Sequence, residues 1–145
     1  MISERAIQKA LFWRLTTSKD VLAPNCYALG WECDLLRITQ GLTVHGYEIK
    51  LTRSDFLADF RKAGRAERKQ PNFFWWVCPK DLIKPSEIPA GDGLIYISVP
   101  PVGGLSARLQ VKATRRHKDK ASDRLINEVY KSIYWRFWKQ NEVNE

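Results

Sequence analysis

Trp31-Glu32-Cys33-Asp34-Leu35-Leu36-Arg37-Ile38-Thr39-Gln40-Gly41-Leu42-Thr43-Val44-His45-Gly46-Tyr47-Glu48-Ile49-Lys50 is the stretch that decides the fold. Trp31 to Thr39 and Leu42 to Lys50 are rich in β-branched, aromatic and other apolar residues, so each reads as a strand. Gln40-Gly41 between them supplies turn chemistry, with Gly41 free to take positive φ, and the two strands are expected to form an antiparallel hairpin. A three-residue loop, Gln40-Gly41-Leu42, pairs Thr39 with Thr43 and sets Asp34 opposite Glu48, with Cβ atoms about 5 Å apart. Residues two apart in a strand share a face, so Glu48 and Lys50 point together while Tyr47 and Ile49 point the other way, into a core. Two carboxylates and one ammonium then share one face.

Upstream, Ser3 is placed to cap a helix over residues 3–18, with Ile7, Ala10, Leu11 and Leu15 at helical spacing. Asn25 to Gly30 reads as a loop or short strand. Downstream, Thr52-Arg53-Ser54-Asp55 has capping-box form with Asp in place of the usual Glu. It opens a helix that carries Phe56, Leu57 and Phe60 inward and ends near Gly64. A basic segment, Arg65 to Gln70, follows.

Asn72 to Pro79 is a continuous apolar run, as expected of a strand buried on both faces. Residues 80–92 form a connection with at most one helical turn, and Gly93 to Val99 is a further buried strand. After the break at Pro100 to Gly104, residues 105–113 read as an edge strand with Leu105, Ala107, Leu109 and Val111 on one face. Ser122 caps a last helix over 122–142 with an apolar stripe of Ile126, Val129, Tyr130, Ile133 and Phe137. The expected architecture is one α/β (α+β) domain over residues 1–145, a mixed central sheet flanked by helices, with the last helix packed on it.

The chain has 145 residues, 44% of them hydrophobic and 12% aromatic, which excludes disordered, collagen-like and coiled-coil classes. Cys26, Cys33 and Cys78 are too few and too scattered for a disulfide framework, and the N-terminus lacks the pattern of a signal peptide, so a reducing cytoplasm is the expected compartment. The longest apolar run, Phe73 to Cys78, is far short of the roughly 20 residues of a membrane span. The net charge is +8, with 24 basic against 16 acidic residues. Arg61, Lys62, Arg65, Arg68 and Lys69 form one basic cluster, and Arg115, Arg116, Lys118, Lys120 and Arg124 a second. Such clusters attract a phosphate backbone, although each is equally read as a solvated face.

Two neighbouring carboxylates repel one another unless a cation lies between them. Oxygen ligands suit a hard ion such as Mg²⁺ or Mn²⁺, which takes one or two protein carboxylates and keeps several waters. Asp34, Glu48 and the backbone carbonyl of Ile49 are the candidate ligands, and Lys50 is placed to orient a water or stabilise charge on a phosphate. The competing account is a cross-strand salt bridge on a solvent-facing sheet, worth about 0.2–1 kcal/mol.

Asp34 followed after a hairpin-length gap by Glu48-Ile49-Lys50 resembles the signature of the PD-(D/E)XK nuclease superfamily. Tyr47 to Phe56, Asn72 to Pro79 and Gly93-Leu94-Ile95-Tyr96 resemble its MmcB-like branch of DNA-repair and phage proteins, over roughly residues 3–99. The resemblance implies a restriction-endonuclease-like sheet, metal binding by Asp34 and Glu48, and catalytic assistance by Lys50. It implies a divalent-metal-dependent endonuclease acting on DNA in repair, recombination or phage DNA processing. Superfamily members often place a further acid on the first helix; Glu4 is the match, although an acid in a first helical turn is sufficiently explained by the helix dipole. Glu32 has the same strand parity as Asp34 and is the alternative acid. The Gln-x-x-x-Tyr element of the exonuclease branches is absent, so processive end-resection is not implied.

Arg61, Lys62, Arg65, Arg68 and Lys69, with Arg115 and Arg116, are the candidate DNA contacts, to phosphates rather than bases, since nothing reads as a base-recognition motif. Asp55 is explained by helix capping, and Asp59 is expected as a surface acid beside Lys62. His45 and His117 lack partners at zinc-ligand spacing. Trp75 and Trp76 belong to a buried strand, whereas Trp135 and Trp138 fall partly off the apolar stripe, placed to stack on bases or to pack against another subunit in a homodimer or with a protein partner. The alternative function is a non-catalytic DNA-binding or accessory protein that keeps the fold.

Overall fold

The computed structural model describes residues 2–15, 17, 19–59 and 68–140. Helix α1 (Glu4–Leu15) leads into strands β1 (Val21–Cys26), β2 (Cys33–Ile38) and β3 (Val44–Ile49); helix α2 (Arg53–Asp59) precedes β4 (Phe73–Pro79), β5 (Gly93–Ser98) and β6 (Ser106–Val111), and α3 (Asp123–Gln140) closes the described chain. Among the described residues six strands form one mixed sheet in the order β1-β2-β3-β4-β5-β6. β1, β2 and β3 run antiparallel, β3, β4 and β5 are mutually parallel, and β6 returns antiparallel on the far edge. The architecture is α+β, with helices on both faces of the sheet.

On one face α1 sets Ile7 and Leu11 against Leu35, Tyr47, Ile49, Val77, Ile95 and Ile97. On the other, Leu125 and Val129 of α3 pack on Ala23, Leu36, Ile38 and Val44, while Phe56 of α2 packs on Phe74, Trp76, Cys78, Leu94 and Tyr96. The apolar run of β4 supplies both faces because a central parallel strand is covered on each side. Serine caps begin α1 and α3: Ser3 Oγ accepts the Ala6 N–H at 3.1 Å, and Ser122 Oγ the Leu125 N–H at 3.1 Å. Asn72, fully buried, straps the chain beyond β6 to the sheet; its Oδ1 accepts the Val44 N–H at 2.7 Å and its Nδ2 donates to the carbonyls of His117 and Asp119.

Several expectations change. Residues 21–26 form a strand despite Pro24 and Asn25, because β1 is an edge strand, where a missing N–H and a local kink are tolerated. The hairpin has the expected three-residue loop, with Leu42 N–H on the Thr39 carbonyl, but the left-handed residue is Leu42 (φ 65°), not Gly41. A type I turn followed by one left-handed residue produces this geometry, and Leu42 accepts the strain while packing on the α3-side core.

Leu57 is exposed rather than inward, and Phe60 and Gly64 lie outside the described residues. In β6 a bulge between the pairs Leu94↔Val111 and Ile95↔Leu109 divides the expected stripe. Val111 joins the α2 face, Leu105 and Ala107 the α1 face, and Leu109 remains exposed. The inward stripe of α3 centres on Leu125 and Val129, with Ile126 and Ile133 beside it, so Tyr130 and Phe137 fall outside.

Candidate functional site

Strands β2 and β3 pair in the expected register, from Ile38↔Val44 to Leu35↔Tyr47. One step further that register sets Asp34 opposite Glu48, and there the regular ladder stops. Cys33 and Leu36 both pack on the α3 side although three apart, so the alternation of faces breaks at Asp34-Leu35. It breaks on β1 as well, at Pro24-Asn25, where Asn25 takes φ 46° between Ala23 and Cys26 of the same cluster. The Gln8 amide of α1 spans the irregularity, donating to Asn25 Oδ1 at 3.0 Å and to the Asp34 carbonyl at 2.8 Å.

The kink turns the Asp34 carboxyl toward the end of β3. Its Oδ2 accepts the Ile49 N–H at 2.7 Å. Burial, then repulsion from Glu48, hold its pKa up at about 8 against that hydrogen bond, and Glu4 of α1 adds to the rise by charge and by a hydrogen bond. Glu4 and Glu48 thus each act on Asp34 where the β2/β3 ladder ends. Glu32 is exposed and hydrogen-bonds Tyr27 instead.

Glu48 and Lys50 share a face, as expected, and both are buried. The Lys50 ammonium lies 3.7 Å from Glu48 Oε2 and 3.5 Å from Asp59 Oδ1. Asp59 is only 1% exposed, which corrects its expected place on the surface. The signal was present in the helix period: Asp59 is three residues beyond Phe56, on the face that α2 buries. Gln8 was missed too; it lies four residues beyond Glu4 on α1 and is buried with Ile7 and Leu11. Ile49 ends β3 with its side chain in the α1-side core, so it offers the site backbone atoms alone.

The expected DNA contacts divide. Arg61, Lys62 and Arg65 lie outside the described residues. Arg68 stacks its guanidinium 3.7 Å above the Trp31 ring and interacts with Glu48, beside the acids. Lys69 is exposed, its carbonyl accepting the Trp31 indole N–H at 2.7 Å. Arg115 and Arg116 point to opposite faces of the sheet, over the rings of Phe73 and Phe74 respectively. Arg116 is ion-paired with Asp92, which is buried and also accepts the Trp76 indole N–H at 2.9 Å, so its charge neutralises a buried acid.

Among the described residues no group of three or more His, Cys, Asp or Glu side chains has the arrangement to hold a metal ion. Asp34 and Glu48 instead provide a carboxylate pair with backbone atoms of Ile49 next to it. A pair fits Mg²⁺ or Mn²⁺, which bind through one or two carboxylates and retain water, and does not fit a fully protein-ligated ion.

No family model matches the chain, and no curated protein is similar to it. Among solved structures it is similar to the SPO1766 protein of unknown function from Silicibacter pomeroyi. The two are 20% identical, with a TM-score of 0.67 over 95% of this chain and 88% of that one. The likeness establishes the fold. No helix among the described residues is long and apolar enough to cross a membrane.

Proposed function

We propose that the chain is a divalent-metal-dependent nuclease of the PD-(D/E)XK type that hydrolyses DNA phosphodiester bonds. The observation that carries this reading is the meeting of Asp34, Glu48 and Lys50 at the end of one hairpin, with the Asp34 carboxyl held up at a pKa of about 8 by burial and then by the charge of Glu48. Asp34 and Glu48 are the residues to hold Mg²⁺ or Mn²⁺, with the Ile49 carbonyl as a further oxygen. The ion, when bound, supplies charge for the phosphate and lowers the pKa of a water.

The chain's own groups have separate tasks. Asp34 is fixed by the Ile49 N–H, so one of its oxygens keeps a constant place relative to Glu48. Asp59, 3.5 Å from the Lys50 ammonium, helps to hold it beside Glu48, 3.7 Å away. Lys50 there orients a water or stabilises phosphate charge. Glu4 acts through Asp34, and Arg68 on its Trp31 support is the phosphate contact beside the acids. The resemblance to DNA-repair and phage proteins supports DNA as the substrate and an endonuclease as the activity, in the cytoplasm.

A second reading rests on the burial of Lys50 between Glu48 and Asp59, which by itself is a structural ion triad. In that reading the protein is a DNA-binding or accessory protein without turnover. A cleavage panel separates the two: single-stranded, duplex and branched DNA, with Mg²⁺ or Mn²⁺ or with EDTA, for wild type, Asp34→Ala and Lys50→Ala. Metal-dependent cleavage lost in both variants, each checked for folding by circular dichroism, supports the nuclease. Salt-sensitive binding without turnover and insensitive to EDTA supports the accessory protein.

A further inference from the structure

Helix α3 leaves its support. Leu125 and Val129 are buried, but Tyr134 to Gln140 include no buried residue. Four of those seven are aromatic. Trp135 is 61% exposed, Tyr134 58% and Trp138 52%. With 100° per residue, Tyr134, Trp138 and Trp135 lie on the side of the helix opposite Val129, and Lys131 lies among them. Tyr134 touches both indoles edge-on, with centroids 6.0 Å from Trp135 and 6.2 Å from Trp138. A large cluster of this kind on a surface marks a binding site.

Charge selects the occupant. From Val129 to Gln140 the helix carries Lys131, Arg136 and Lys139 and no acid; Glu142 and Glu145 follow outside the described residues. A second copy of this face would bring like charges together, whereas a polyanion with flat apolar groups meets both the cations and the rings. Bases in a duplex are already stacked, and only a single strand presents them. Position agrees with this choice. Arg136 donates to the Asn25 carbonyl at 2.8 Å, and the Asn25 side chain shares the Gln8 amide with the Asp34 carbonyl. The aromatic end of α3 therefore lies at the same end of the sheet as the acidic cluster.

We infer that the Tyr134, Trp135 and Trp138 face of α3 is a stacking platform for single-stranded nucleic acid, with Lys131 and Lys139 on the phosphates. The inference goes beyond the cleavage reading and does not depend on it. The test is fluorescence anisotropy of an oligothymidine of about 20 nucleotides and of a duplex of the same length, in EDTA, against wild type and Trp135→Ala/Trp138→Ala. The double variant is expected to weaken oligothymidine binding about tenfold or more, to affect the duplex less, and to remove quenching of tryptophan fluorescence by the single strand. Both side chains are exposed, so the variant is expected to keep the wild-type melting temperature. Unchanged oligothymidine affinity overturns the inference. So does a wild-type dimer, by light scattering, that the double variant dissociates, because the face is then an interface between copies. If the binding pattern holds and no metal supports cleavage, the nuclease reading fails alone.

Discussion

Asp34 Oδ2 accepts the backbone N–H of Ile49 at 2.7 Å, so a side chain completes the β2/β3 pairing where the ladder itself has stopped. The same carboxyl is held at a pKa of about 8, well above its ordinary 3.8, by burial and by Glu48. Between those two values the folded chain keeps a proton that the unfolded chain has released. Asp34 therefore contributes stability at low pH that is lost as pH rises toward 8. Asp34→Asn keeps an oxygen for the Ile49 N–H and cannot ionise. Its melting temperature in EDTA is expected to exceed that of wild type at about pH 9, with the gap closing toward about pH 4. Melting curves that stay parallel across this range would sink the account.

Lys50 is the cation between two buried carboxylates. Lys50→Met leaves Glu48 and Asp59 without it, and breaking a buried ion pair in this way costs about 3–5 kcal/mol. Asp59→Asn in the same chain removes one of the two charges that Lys50 faces, so the double variant is expected to be more stable than the sum of the single losses by about 1–3 kcal/mol. Urea unfolding of the four proteins measures the coupling. Simple additivity would place Asp59 outside the ion cluster.

The hairpin, the five later elements and the Glu48-Lys50 face were legible because they rest on period two, period 3.6 and turn chemistry, which are local. Strand β1 was not, since Pro24 and Asn25 are poor strand residues anywhere but at an edge, and edge position is a property of the whole sheet. The place of Asp34 depended on paired irregularities in two strands and on Gln8 from a helix, relations that no single segment contains. Arg115 and Arg116 read as one basic patch, but neighbours in an extended chain point apart, and one of them answers to Asp92. Asp59 was readable from Phe56, had its charge not suggested the surface.

His45 has the opposite pH dependence to Asp34. Burial first, then Arg37 and Arg115, push its pKa down to about 4, and its Nδ1 accepts the Trp75 indole N–H at 3.1 Å, so the ring is neutral. Unfolded, the imidazole takes up a proton near its ordinary 6.5. Stability is therefore lost as pH falls from about 6.5 toward 4. His45→Asn, which cannot protonate, is expected to show a shallower loss of melting temperature over that interval. Equal slopes for the two proteins would mean that other groups dominate the acid limb.

Gly93 pairs with Trp75 across β4 and β5, and the indole covers the space where a side chain would stand. A Cβ at Gly93 would lie 2.2 Å from Trp75 Cε3, and the ring has little freedom to retreat, because it stacks on Tyr47 with centroids 6.2 Å apart and is held by His45. Gly93→Ala is expected to cost about 1–3 kcal/mol through overpacking. In a Trp75→Val background the obstruction is gone, and the same substitution is expected to cost less than about 0.5 kcal/mol. Chemical denaturation of the wild type, both single variants and the double variant gives the comparison. A Gly93→Ala cost that is unchanged without the indole would assign the glycine to a backbone requirement of β5 instead of to the ring above it.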